Sequence, residues 1–175
     1  MNVNTAQPKI FLTGMMGSGK SYWSRWLSKK LKVPAYDLDH LIEIMEERTI
    51  AEIFEQSGEE YFRKEEAKML KLFKEKKSFI LSCGGGTPCF FDNMEWMNKH
   101  GISIWIDEPV DTLVTRLLPE KDHRPLIKKL DKNSLAVFLQ KKLGERSEYY
   151  QQSTYHLKGV QITGSNLLNL VKKHA

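Results

Sequence analysis

Short apolar runs that end in glycine or aspartate alternate along the chain with longer stretches of helical spacing. Lys9–Thr13 (Lys-Ile-Phe-Leu-Thr) is the first such run and predicts a buried strand that leads into glycines. Across residues 21–32 the apolar residues Trp23, Trp26, Leu27 and Leu31 recur at helical spacing, and Pro34 closes the segment. Residues 33–36, 79–83 and 102–106 are further strand candidates, and a weak last one lies within 155–162, ahead of a closing helix at 166–173.

Between these strands Leu41, Ile42, Ile44 and Met45 begin a helix. Two Ser/Thr-x-x-Glu capping boxes, Thr49 with Glu52 and Ser57 with Glu60, predict that residues 38–76 form several helices rather than one. Residues 119–129, punctuated by proline and rich in charge, interrupt two helical patterns at 110–118 and 134–143 and read as a mobile loop. Strands alternating with helices imply right-handed crossovers and a parallel sheet covered on both faces, with ligands gathering at the C-terminal strand edge. The glycine loop, Asp37 and Asp39, the triple glycine at 84–86 and Asp107 all fall at such edges, so one cleft could collect the first three.

Composition narrows the class. A chain of 175 residues, 41% hydrophobic and 28% charged, fits one domain (1–175) with a packed core. Cys83 and Cys89 lie at no zinc-ligand spacing, and His40, His100, His123, His156 and His174 show none either, so a reducing compartment and no structural metal are expected. The stretch before Lys9 is polar and residues 10–12 are too few for a signal or spanning segment, so the expected location is cytoplasmic, with no membrane partner. The net charge of +5 is compatible with nucleic acid or with an anionic small substrate. The lysines scatter over presumed helix surfaces without interleaved stacking aromatics, which argues against nucleic acid.

Residues 14–21, Gly-Met-Met-Gly-Ser-Gly-Lys-Ser, match the Walker A pattern, placed after a strand and before a helix. By chance the pattern arises in roughly one chain in a hundred of this length, and correct flanks make it rarer. Its glycines let backbone N–H groups face phosphate oxygens. Lys20 would reach the β- and γ-phosphates of ATP, and the Ser21 hydroxyl would ligate Mg²⁺. Asp37 and Asp39, two apart, would share one face of a strand; each is either a helix N-cap or a carboxylate for Mg²⁺ or for an attacking hydroxyl. Arg63, with Glu66 at i+3 to aim it, reads as a surface ion pair or as half of a carboxylate clamp, for which Arg146 is the second candidate. Residues 84–86 form a flexible turn or a backbone approach to a ligand, and Arg124 is a solvated loop arginine or a clamp on transferring phosphates.

Taken in order, Gly-Met-Met-Gly-Ser-Gly-Lys-Ser, Asp37-x-Asp39, Gly58-Glu59 with Phe62, Arg63 and Glu66, Gly84-Gly85-Gly86, Arg124-Pro125-Leu126, and Arg146 with Tyr149 resemble the shikimate kinase family across roughly residues 9–150. The resemblance implies a three-layer α/β/α fold similar to nucleoside monophosphate kinases: a five-stranded parallel sheet, a P-loop core at 9–32, a substrate region near 38–66 and a lid near 117–129. It implies transfer of the γ-phosphoryl of ATP to the 3-hydroxyl of shikimate, with Mg²⁺, by a monomer. Carried over by position, Gly17, Ser18, Gly19, Lys20, Ser21, Tyr22 and Arg124 would hold the nucleotide, and Ser21 with Asp37 the metal. Asp39, Arg63, Arg146, Gly85, Gly86, Phe54 and Phe62 would meet shikimate, while Lys20, Asp39 and Arg124 would serve catalysis. The chain departs from the family after Tyr150, where an arginine placed near adenine is lacking, and at Thr87-Pro88-Cys89-Phe90, where small apolar residues are often found. A gluconate-type kinase and a nucleotide-dependent binding module are the alternatives.

Overall fold

The computed structural model describes residues 8–124 and 126–174, without the side chains of residues 122 and 123. Pro125, the His123 side chain and the polar stretch 1–7 therefore lie outside the described residues. Five strands, β1 (Lys9–Thr13), β2 (Ala35–Asp37), β3 (Phe79–Ser82), β4 (Ile102–Asp107) and β5 (Tyr155–Lys158), form one sheet in the order β2-β3-β1-β4-β5. Every pairing is parallel, with Phe11 opposite Leu81 on one side and Ser103 on the other.

Alternation along β1 makes three layers. Ile10 and Leu12 point with Ile80, Ile104 and Ile106 toward helices α1 (Lys20–Leu31) and α7 (Gly164–Lys172), through Leu27, Leu167 and Val171. Phe11 points the other way, with Phe79 and Leu81, onto α2 (Leu38–Glu46), α3 (Ile50–Leu72) and α4 (Asn93–His100). Trp105 carries that second face on to α5 (Val110–Leu117) and α6 (Lys132–Tyr150), where Leu113, Leu117, Leu135 and Leu139 are buried. Each fully buried side chain of this kind favours the folded layers by about 1.5–3 kcal/mol over its exposed state.

The connections set the site. After β1 the chain moves outward to β2, returns through β3, and then crosses to β4 on the far side of β1. The order therefore reverses about β1, which opens a crevice at its C-terminal end. The Thr49–Glu52 capping box starts α3 as expected, with both reciprocal hydrogen bonds present. The second start differs: the Ser57 hydroxyl accepts from Arg48 Nη1 at 3.1 Å, and the break falls at Gly58, whose φ of 81° a side chain would strain. The expected loop at 119–129 is partly ordered, as a 3₁₀ turn over Leu118–His123, and Ile127 beyond it is buried.

Candidate active site

The loop between β1 and α1 bends at Gly14, Gly17 and Gly19, all at positive φ. A β-carbon on Gly17 would stand 2.8 Å from Leu117 Cγ, so the base of the expected lid packs directly on this loop. Lys20 is buried, and its ammonium donates to the Met15 carbonyl at 2.8 Å. That carbonyl also accepts the Ser18 N–H at 3.2 Å. Burial, only partly offset by Asp39, Cys83 and Asp37, lowers the Lys20 pKa to about 8. Among the described residues the buried Ser18 hydroxyl has no hydrogen-bond partner, and it faces Gly14 rather than solvent.

Asp37 and Asp39 do not share a strand face. β2 ends at Asp37, which caps α2, and Asp39 lies in that helix's first turn. The N-cap reading of Asp37 holds, its Oδ1 accepting the His40 N–H at a long 3.5 Å, while Oδ2 accepts the Ser21 hydroxyl at 2.7 Å. Ser82, at the end of β3, brings a third oxygen 3.3 Å from Ser21 Oγ. This set of hard oxygens fits Mg²⁺, which keeps several waters and takes one or two carboxylates beside phosphate oxygens. Among the described residues no group of three or more His, Cys, Asp or Glu side chains could cage a metal.

A cleft of about 530 Å³ gathers Gly17, Gly19, Lys20, Ser21, Tyr22, Asp37, Asp39, Gly84, Gly85 and Arg124. Ser18, Arg63, Arg146, Gly86, Phe54 and Phe62 are not among its lining residues. Arg146 and Arg63 stand instead against Gly85 and Gly86 of the triple glycine, which forms a floor where side chains would collide. A β-carbon on Gly84 would lie 2.9 Å from Glu66 Oε1, one on Gly85 2.9 Å from Arg146 Nη1, and one on Gly86 2.7 Å from Arg63 Cζ. Arg63 is buried and pairs with Glu66 at 2.9 Å and Glu59 at 3.1 Å, with the Phe54–Phe62 ring pair beside it. Burial first, then the charges of Glu66 and Asp37, pushes the Asp39 carboxyl up to about 6.

Several groups here were not singled out from sequence. Ser82 resembled any polar strand end. Arg116 of α5 lines the cleft and donates to the Gly17 carbonyl at 3.2 Å, with Glu108 holding its other nitrogen at 2.8 Å. Tyr150, rather than the exposed Tyr149, closes the floor from below: its buried hydroxyl donates to the Gly85 carbonyl at 2.5 Å, and burial raises its pKa strongly. Arg124 lines the cleft, and its Nη2 donates to Glu120 at 3.5 Å. Asp107 is turned away to His156, 2.7 Å distant. Chemically, the cleft offers a lysine to a polyanion and a carboxylate of raised pKa to a hydroxyl, and the glycine floor beside it adds two guanidinium groups.

Comparison with known proteins points to one family. Residues 16–171 match the family model described as shikimate kinase. A shikimate kinase of Flavobacterium psychrophilum is 46% identical over 149 residues, spanning 84% of this chain and 87% of its own. Among solved structures, the shikimate kinase of Bacteroides thetaiotaomicron superposes with a TM-score of 0.85 at 34% identity, covering 95% of this chain and 96% of its own. That of Acinetobacter baumannii in complex with shikimate gives 0.80 at 30% identity, covering 96% and 90%.

Proposed function

The chain belongs to the shikimate kinase family, and from that premise we propose how its own residues move the γ-phosphoryl group of ATP onto the 3-hydroxyl of shikimate, giving shikimate 3-phosphate and ADP. The observation that carries the reading is the placement of Asp39. It lies in one cleft with Lys20 and Ser21, and abuts Gly84 beside the Arg63–Glu66 pair.

The loop amides and Lys20 hold the β- and γ-phosphates, and Arg116 keeps the Gly17 carbonyl turned aside from them. Ser21 and Asp37 hold Mg²⁺, which when bound supplies positive charge to the phosphate oxygens. Arg63 and Arg146 take the shikimate carboxylate, fixing the ring against Phe54 and Phe62. Asp39 accepts the proton of the attacking hydroxyl as its oxygen bonds to the γ-phosphorus, and ADP departs on the opposite side. Arg124, on a lid at 117–129, closes over the transferring group and excludes water, which otherwise would be the acceptor. Residues 38–66 act as the region that receives the acceptor.

One copy of the chain supplies every group named, so we assign the activity to a monomer. Both cysteines are free thiols, in keeping with a reducing, cytoplasmic setting. Among the described residues no helix is long and apolar enough to cross a membrane. Purified protein with Mg-ATP and shikimate should release ADP and shikimate 3-phosphate in equal amounts, and gluconate should not substitute. ADP release indifferent to shikimate would reject the reading.

A further inference from the structure

Glu66 is a fully buried carboxylate with two protein partners. Its Oε2 accepts from Arg63 Nη1 at 2.9 Å, and its Oε1 accepts the Thr87 hydroxyl. Thr87 is itself fully buried and held from both ends: its N–H donates to the Gly84 carbonyl at 3.1 Å, and its carbonyl accepts Asn93 Nδ2 at 2.9 Å. A buried carboxylate with one oxygen unpaired turns or takes up a proton, and in either case loosens its grip on the partner guanidinium. Thr87 is the only side chain besides Arg63 that hydrogen-bonds Glu66 among the described residues.

Three residues on, Phe90 lies over the face of the same guanidinium, 4.6 Å from ring centroid to Cζ, while Phe62 lies 5.1 Å away. Phe91 and Asp92, which follow, both adopt left-handed backbone, at φ of 50° and 55°. Two consecutive non-glycine residues in that region persist only where the surroundings fix them. The turn therefore presents Phe90 in a set direction. Of the five N–H groups of Arg63, Nε and one on each terminal nitrogen are engaged by Glu59 and Glu66. Among the described residues one N–H on each terminal nitrogen is left over, which is the number a planar carboxylate takes in a two-point contact.

We propose that the turn carrying Thr87 and Phe90 is the positioning element for Arg63: Thr87 acts through Glu66, and Phe90 acts on the guanidinium face, to hold the fork in the orientation that receives the acceptor's carboxylate. Both are assigned positioning rather than contact, and the inference rests on the reading that Arg63 receives the acceptor.

Steady-state kinetics with shikimate and ATP varied independently tests it. Thr87→Val should raise the KM for shikimate about tenfold, with kcat and the KM for ATP within about twofold of wild type. Thr87→Ser should restore it. Phe90→Leu should raise the same KM about threefold, and Phe90→Tyr should not. In an Arg63→Ala background neither Thr87→Val nor Phe90→Leu should raise it further, because their effect runs through the missing guanidinium. If Arg63→Ala raises the shikimate KM while Thr87→Val and Phe90→Leu leave it unchanged, or if the effects add in the double variants, the positioning role is overturned and the carboxylate reading stands. If Arg63→Ala itself leaves that KM unchanged, the carboxylate reading fails. Should Thr87→Val not fold, the Phe90 variants decide alone.

Discussion

The Asp39 carboxylate lies so close to Gly84 that a β-carbon on the glycine would stand 2.7 Å from Oδ1. The same carbon would meet Glu66 and Thr87, so no single side-chain movement clears the space. Gly84→Ala should therefore displace the proposed base and lower kcat by about 100-fold, while ATP binding, measured by titration, changes little.

The Asp39 pKa of about 6 sets a pH dependence. A base works only when deprotonated, so kcat/KM for shikimate should fall about tenfold per pH unit below that value and lie flat just above it. Stability runs oppositely. A carboxyl raised from its ordinary 3.8 favours the fold below that value, and the contribution is lost as pH rises through about 6. Asp39→Asn should thus abolish most activity, yet at pH 8 gain about 1–3 kcal/mol in denaturant unfolding.

Lys20→Ala and Arg63→Ala should separate the two ends of the cleft. The first removes charge from the transferring phosphates and should lower kcat by about 100-fold or more. The second should act mainly on the KM for shikimate. Equal loss on both parameters in both variants would contradict the division.

Tyr150→Phe removes the donor to the Gly85 carbonyl and leaves that acceptor without its partner beneath the floor. Unfolding should require about 1–3 kcal/mol less, with the KM for shikimate raised more than that for ATP.

Much of the fold was legible because buried parallel strands read as unbroken apolar runs: β1, β3 and β4 lie within a residue of their expected bounds. β2 begins two residues late, at Ala35: Pro34 has no N–H to give a ladder and meets β3 only through its carbonyl, which accepts the Ile80 N–H at 2.9 Å. α6 extends over Lys132–Tyr150, well past the expected 143, since Gly144 and the polar run after it show no apolar period although the backbone continues. That extension is what carries Arg146 and Tyr150 to the glycine floor. The glycine loop, the Asp pair and residues 84 and 85 could be placed in one cleft from strand ends alone. Ser82, Arg116, Thr87, Phe90 and Tyr150 could not, because each acts through a partner distant in sequence and none belongs to a local pattern.

The most direct measurement is a crystal structure with ADP and shikimate bound. The ring carboxylate should lie between Arg63 and Arg146, with the 3-hydroxyl within about 3 Å of the Asp39 carboxylate and facing the β-phosphate. A ring bound with its carboxylate away from both guanidinium groups, or its 3-hydroxyl remote from Asp39, would contradict the mechanism.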